Sequence, residues 1–367
     1  MKIAIIGAST GQLPLCLKSK ECGLETICFA WPDGAICRDA VDKFYPISIL
    51  EKEKIVDICK KEGVDGVVSN GSDLTAEIVS YVSSKLGLHG IKYDSFLNLK
   101  NKYSVRRLTE NVPELSFVSV YEYSEKTNIS FPCIVKPQIG ASKKGVYYVA
   151  NESELDSIIV ESKKESGSKI MIEEFVPGHE ISVETISYEG THYVIQITDK
   201  ENSGAPHFVE LSHHQPSQIT PELRCKIERI VPNLLNAVNL DNGASHIEMK
   251  VTDNNDVYLI EINPRGGGDE ISNKLVMLST GYDYIRAMIE VAIGCFNMPK
   301  ILEHKYSGIY YLCSQRSGRL KYFVDSIEEP WLIEKQYDLS HGLNESKGNY
   351  DRNGYLIYQS DTKIELD

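Results

Sequence analysis

The sequence predicts a chain that begins as an α/β domain around a parallel sheet and continues as α+β units. Over about the first 95 residues, apolar runs alternate with helical segments, which is the pattern of βαβ units. From Ser116 onward, short strands replace that alternation. With 42% hydrophobic and 25% charged residues among 367, the chain has the composition of a folded protein, and its length suggests about two to three domains.

The first unit opens with the apolar strand Lys2–Ile6, followed by a tight turn that contains Gly7 and Gly11. That turn has the spacing GxxxG and not GxGxxG, so it favours an ordinary turn over a dinucleotide site. A helix predicted at 98–112 ends at Pro113, which cannot continue it.

The remaining elements are shorter and arranged around two more units. Predicted strands lie at 131–135, 145–149, 169–173, 181–187 and 192–198, with helices at 152–162, 220–238 and 283–293 and a hairpin at 243–263. The expected organisation is a first domain at 1–112, a small lid at 113–190, a core at 191–300 and a β-rich C-terminal segment at 301–367.

Charge and cysteine content exclude several classes of protein. The net charge is −13, with 39 basic and 52 acidic side chains, which disfavours binding to a phosphate backbone. No run approaches the ~20 apolar residues of a membrane span, and no secretory leader is expected at the start. Nine cysteines without a CxxC pair indicate reduced thiols. We therefore expect a cytoplasmic protein with neither nucleic acid nor membrane as a partner.

Acidic residues on the predicted hairpin form the strongest chemical signal. If Thr252 pairs with Val257 across the turn at 253–256, Glu248 lies opposite Glu261, and Asn263 shares the face of Glu261. Two opposed carboxylates repel each other unless one is protonated or a cation lies between them. Oxygen ligands of this kind suit Mg²⁺. The alternative is an exposed hairpin face with a different register.

Directly after the hairpin comes the run Pro264-Arg265-Gly266-Gly267-Gly268. An arginine beside a metal-binding strand end can bind a phosphate with two hydrogen bonds. The glycines let the backbone approach a ligand closely. A flexible loop without a ligand is the alternative.

A lysine inside an apolar strand gives a second signal. Lys136 follows Ile134 and Val135, and lysine is rarely buried without a partner. The loop at 140–145 after it offers backbone N–H groups, a hydroxyl and two ammonium groups to phosphate oxygens. The alternative is a lysine that extends along the strand edge to solvent.

A third signal is an apolar strand that ends in Glu173 and Glu174 and turns at Pro177-Gly178. Such acids can accept hydrogen bonds from an adenine amino group or from ribose hydroxyls. Acidic strand ends are also commonly just solvated.

Taken together, these motifs resemble the ATP-grasp superfamily of carboxylate–amine ligases over about residues 1–300. The resemblance implies an ATP-grasp fold with a Rossmann-like N-terminal domain, a lid and a core. It implies Arg265 as the catalytic arginine, with ATP and Mg²⁺, or Mn²⁺, as cofactors. The metal ligands that it implies are Glu248, Glu261 and Asn263. The nucleotide-binding residues that it implies are Lys102, Lys136, Gly140, Ser142, Lys143, Gly145, Glu173, Glu174, Phe175, Val176 and Glu180. Asn101 departs from the family, in which many members have an acid before the first lysine.

A shorter match looks like the L-amino acid (dipeptide) ligase branch. It implies that Glu210, His213 and Gly267 contact the small-molecule substrates, a carboxylate and an amine. A bicarbonate-activating enzyme of the biotin carboxylase or carboxyaminoimidazole-ribonucleotide synthetase type is the alternative within the superfamily. A nucleotide-binding protein without turnover is the alternative outside it, and a homodimer is an arrangement that the resemblance allows.

Overall fold

The structure is a computed structural model that describes residues 1–123, 129–140, 143–205, 207–302, 304–324 and 329–366. Three sheets organise these residues in chain order, one parallel and two antiparallel. The mixed α/β architecture expected from the sequence is confirmed. Within the described ranges, no helix combines the length and apolar character needed to cross a membrane.

The N-terminal sheet has four parallel strands in the order β3-β2-β1-β4. They are β1 (Lys2–Ile6), β2 (Glu25–Ala30), β3 (Lys43–Pro46) and β4 (Gly66–Val68), with helices α1 (Leu13–Glu21), α2 (Lys52–Glu62) and α3 (Asp73–Leu86). Because the strand order reverses between β1 and β4, the loops that follow these strands lie side by side at one edge of the sheet.

Two short helices, α4 (Tyr93–Lys100) and α5 (Lys102–Thr109), connect this domain to the rest of the chain. Asn101 caps α5, because its side chain accepts a hydrogen bond from the N–H of Ser104 at 3.0 Å. The unusual residue before Lys102 therefore has a local structural role.

The second sheet is small and antiparallel, in the order β5-β8-β6-β7. Its elements are β5 (Val120–Glu122), β6 (Cys133–Pro137), β7 (Tyr147–Val149), α6 (Glu152–Ser166) and β8 (Ile170–Glu174). Buried residues of α6 and of the strands, among them Val135, Ile159 and Ile172, form a separate core. This unit lies within residues 113–190, the segment that the sequence predicts as a lid, and its role as a lid stays a prediction.

The third sheet has eight strands in the order β13-β12-β9-β10-β11-β14-β16-β15. The strands are β9 (His179–Tyr188), β10 (Thr191–Asn202), β11 (Glu210–Gln215), β12 (Gly243–Val251), β13 (Val257–Asn263), β14 (Tyr306–Leu312), β15 (Leu332–Tyr337) and β16 (Gly354–Ser360). The helices beside it are α7 (Pro221–Ala237), α8 (Val276–Thr280), α9 (Tyr284–Ala292) and α10 (Leu320–Val324). On one face, Ile227 and Leu234 of α7 share a core with Val183, Ile197 and Ile247 of the strands.

Two expected boundaries differ from this arrangement. The predicted lid at 113–190 includes β9, yet β9 pairs with β10 and β12 inside the large sheet. A tight turn at Glu189 and Gly190 joins β9 to β10, so the two strands share one core. The segment 301–367 adds β14, β15 and β16 to the same sheet. Strand β14 pairs with the edge of β11 that β10 leaves free, and β16 and β15 follow in turn.

Candidate active site

The two hairpin glutamates face each other in the large sheet. Glu248 of β12 pairs with Glu261 of β13, and His246 pairs with Asn263 two residues away. Because residues two apart share a face of a strand, Glu261 and Asn263 lie on the side of Glu248. The sequence predicted this arrangement, and the ladder bears it out.

The route to this register differs from the predicted one. Val257 pairs with Val251 and not with Thr252. A bulge then shifts the ladder by one residue and leaves Ile260 without a partner on β12, so that Glu261 meets Glu248. Nothing in this stretch of sequence marks a bulge. The simple pairing rule therefore predicted the wrong pairs next to the turn, although it placed Glu248 opposite Glu261 correctly.

Side-chain cations compensate the opposed carboxylates. The Nζ atom of Lys200 lies 2.9 Å from Glu248, whose carboxylate is also hydrogen-bonded to His246 at 3.2 Å. The Nζ atom of Lys102 lies 2.9 Å from Glu261. Burial alone would raise the pKa of Glu248, but Lys200 and His246 outweigh it and hold that pKa well below its usual range. Two carboxylates beside an amide oxygen form a donor set that fits Mg²⁺ or Mn²⁺.

Lys200 is a buried residue of this cluster that sequence reasoning missed. It is buried, and besides Glu248 it lies 3.3 Å from Glu210 and 3.6 Å from Glu180. Burial opposes its charge, yet these carboxylates raise its pKa well above the usual value. Its neighbours Asp199 and Glu201 make this stretch typical of a solvated strand end, so the sequence contains no signal for a buried lysine.

Lys136 belongs to a buried ionic cluster with Glu173 and Arg106. The Nζ atom of Lys136 lies 2.5 Å from one oxygen of Glu173, and Nε of Arg106 lies 2.7 Å from the other. Burial would raise the pKa of Glu173, but the two cations lower it overall. Glu173 therefore points into the protein, whereas Glu174 beside it is exposed.

The predicted phosphate loop contacts Lys102 at its first residue. The carbonyl of Gly140 accepts a hydrogen bond from Lys102 at 2.8 Å. Lys143 donates to the carbonyl of Phe208 at 2.6 Å, and Gly145 has a positive φ of 74°. Ser142 lies outside the described residues. Lys102 thus connects this loop to Glu261.

The hinge after β8 presents backbone and aromatic groups. The carbonyl of Val176 accepts a hydrogen bond from Lys250 at 3.1 Å, and that ammonium group lies 4.9 Å from the centre of the Phe175 ring. Glu180 accepts from Asn202 at 3.1 Å. The nucleotide contacts assigned to these residues stay a prediction.

Glu210 and His213 lie together in the first part of β11, with two further residues that the sequence did not single out. Nε2 of His213 lies 3.2 Å from Glu210 and 3.6 Å from Asp269. Arg352 of the C-terminal segment pairs with Asp269 at 2.9 Å. The three acidic and imidazole groups are close enough to hold a metal ion, but Arg352 and Lys200 already neutralise the two carboxylates.

Arg265 lies between the large sheet and the N-terminal domain. Its Nε lies 2.5 Å from Asp73, the first residue of α3. Two residues on, the N–H of Gly267 donates to the buried Glu184 at 3.1 Å. A Cβ atom on Gly267 would lie 2.8 Å from Nδ1 of His246, so this position requires glycine. The substrate contact assigned to Gly267 stays a prediction.

Comparisons with known proteins show which families and folds the chain is similar to. Residues 129–274 match the family model of the ATP-grasp domain. The chain is 24% identical over 278 residues to a formate-dependent phosphoribosylglycinamide formyltransferase of Sulfurovum sp., over 72% of this chain and 70% of that protein.

Solved structures of similar fold cover nearly the whole chain. An L-amino acid ligase from Bacillus licheniformis superposes with a TM-score of 0.80 at 22% identity, over 98% of this chain and 93% of that one. N5-carboxyaminoimidazole synthetase from Staphylococcus aureus superposes with a TM-score of 0.76 at 16% identity, over 98% and 93%. The resemblance expected from the motifs is thereby confirmed at the level of the fold: residues 129–274 match the ATP-grasp domain, and the chain as a whole has the fold of these two solved structures.

Proposed function

We propose that the protein is an ATP- and Mg²⁺-dependent ligase that joins a carboxylate, an amino acid in the favoured case, to an amine. The observation that supports this most is the position of Arg265 directly after a strand whose Glu261 faces Glu248 and contacts Lys102. One place thus combines oxygen ligands for a metal with cations suited to phosphate. All nine cysteines are free, which supports the further proposal of a cytoplasmic enzyme.

In the first step, an oxygen of the substrate carboxylate attacks the γ-phosphorus of ATP, and the bond to the bridging oxygen of ADP breaks. Lys102 and Lys136 hold the phosphates, and Arg265 stabilises the charge on the transferred group. Glu248, Glu261 and Asn263 would hold Mg²⁺, which neutralises charge on the phosphate oxygens.

In the second step, a neutral amine attacks the acyl carbon of the acyl phosphate, the bond to the phosphate oxygen breaks, and the amine loses a proton. Arg265 again stabilises the oxyanion that forms. Glu210 and His213 lie next to Lys200, which contacts Glu248, so they are well placed to bind the amine or accept its proton. Closure of the lid over the site would exclude water, which otherwise hydrolyses the acyl phosphate.

The test is a phosphate-release screen of carboxylates against amines with ATP and Mg²⁺, followed by mass spectrometry. We expect ADP and phosphate to form only when both substrates are present, and a product mass equal to their sum minus one water. The variant Glu261→Gln should require more Mg²⁺ for the same rate. Phosphate release that needs no amine would contradict the proposal.

A bicarbonate-activating enzyme is the second candidate, because the synthetase from Staphylococcus aureus has the same fold. Bicarbonate alone would then stimulate ADP release without any amino acid. ATP binding without ADP release under every condition would instead favour a nucleotide-binding protein without turnover.

A further inference from the structure

Arg106 is a buried cation whose contacts go beyond the nucleotide site. It is 4% exposed and lies on α5, one helical turn after Lys102. Its Nη2 donates to the backbone carbonyl of Ile260 at 2.7 Å, while its Nε lies 2.7 Å from Glu173. The side chain thus connects the lid to the hairpin of the large sheet.

The carbonyl that Arg106 contacts belongs to the bulge residue. Met249 pairs with Leu259 and Glu248 with Glu261, so Ile260 is the extra residue on β13. A bulge disrupts the hydrogen bonds of the ladder at the extra residue. The guanidinium group of Arg106 supplies a hydrogen-bond donor to the carbonyl of this extra residue.

The bulge decides which face of β13 is turned toward Glu248. If the register of Val251 and Val257 continued without it, Glu248 would pair with Ile260. A shift by one residue moves every side chain to the opposite face, so Glu261 and Asn263 would both point away from Glu248. The oxygen ligands can therefore share one site only while the bulge stays at Ile260.

Helix α5 holds β13 at two consecutive residues. Lys102 contacts the carboxylate of Glu261, and Arg106 contacts the carbonyl of Ile260. Residues four apart on a helix lie on one side of it, so a single helix makes both contacts. We propose that Arg106 is a positioning residue that stabilises the bulge at Ile260 and thereby places Glu261 and Asn263 beside Glu248 for divalent cation binding. This inference rests on the proposed function.

The experiment measures Mn²⁺ binding by electron paramagnetic resonance in the presence of ADP. Loss of a group that orients metal ligands typically weakens metal binding by about 10- to 100-fold, and we expect Arg106→Gln to weaken Mn²⁺ binding by at least about tenfold. The affinity for ADP without metal should change far less. Arg107→Gln is the matched control, because Arg107 lies on the same helix, is exposed and forms a local ion pair with Glu110.

A conservative variant separates this role from general loss of structure. Arg106→Lys keeps a positive charge near Glu173, but one ammonium group on a shorter stem cannot reproduce contacts made through two separate nitrogens. We expect Arg106→Lys to fold, to bind ADP and still to bind Mn²⁺ weakly. A crystal structure should then show Glu261 turned away from Glu248.

The outcomes distinguish this inference from the proposed function. If Arg106→Gln and Arg106→Lys both bind Mn²⁺ as the wild type does, or if Arg106→Lys restores Mn²⁺ binding fully, the role of Arg106 is overturned. The ligase proposal then still stands. A wild-type protein that binds no Mn²⁺ with ADP overturns both.

Discussion

Arg265 and Asp73 form an ion pair, with 2.5 Å between Nε and Oδ1, that joins the loop after β13 to the start of α3. The proposed catalytic arginine is therefore oriented by the N-terminal domain, although it follows strand β13 in the chain. Asp73 is 40% exposed, so the pair borders solvent, where a substrate can approach.

Replacement of Arg265 by alanine removes the group that would stabilise the transferred phosphoryl and the oxyanion. Loss of one such preorganised group typically costs about 10²–10³ in kcat, and we expect that loss in ADP formation with the substrates found by the screen. ATP binding, measured by calorimetry, should be retained. Arg286→Ala is the control, since this exposed arginine forms a local ion pair with Glu290 on its own helix. Near-normal turnover of Arg265→Ala would reject the assignment.

Gly267→Ala should disrupt the site, because the added Cβ would lie 2.8 Å from His246 and 3.0 Å from both oxygens of Glu184. The buried Glu184 has no room to move, so the loop that carries Arg265 must shift instead. We expect a large fall in turnover. Gly268→Ala is a sharp control, since no atom lies within 4 Å of a Cβ at Gly268. Equal activity of the two variants would contradict this reading of the loop.

Glu173→Gln should destabilise the protein. It leaves Lys136 and Arg106 buried without a counter-charge, and removal of one partner of a buried ion pair costs about 3–5 kcal/mol. The free energy of unfolding in urea measures this loss. The neighbouring Glu174→Gln is the control, because Glu174 is exposed and should change stability little. If both variants are equally stable, the buried cluster does not support the lid.

The buried side chain of His214 should make the stability of the fold sensitive to acid. Burial lowers its pKa to about 3 from 6.5, aided by the charge of Lys363, and its Nδ1 is hydrogen-bonded to Tyr358 at 2.9 Å. Between pH 6.5 and 3, His214 is protonated in the unfolded chain but neutral in the folded protein. The contribution of His214 to the free energy of unfolding is therefore fully present above pH 6.5 and falls as the pH decreases through this window. One such group contributes a slope of up to about 1.4 kcal/mol per pH unit.

The variant His214→Gln should lose this part of the slope, as measured by urea unfolding at pH 7, 6 and 5. His341→Gln, at an exposed position, should keep it. The same slope in His214→Gln as in the wild type would show that other groups are responsible.

Local patterns in the sequence predicted much of the fold and part of the site. The parallel N-terminal sheet followed from alternating apolar and helical runs, and the opposed pair Glu248 and Glu261 followed from a hairpin signal. The boundary of the lid was misplaced, because membership of β9 in the large sheet depends on strands β10 and β12 that pair with it.

The fold class, the acidic hairpin and the order of the motifs proposed to bind phosphate and metal are properties of the sequence, because periodicity and spacing act between near neighbours in the chain. The tertiary structure decided which cations neutralise those acids and in which register the two strands of the hairpin pair. Lys200 meets Glu248, Arg106 meets Ile260, and Asp73 meets Arg265 only through sheet order, a bulge and domain packing. Such contacts join residues tens to hundreds of positions apart, and no local pattern encodes them.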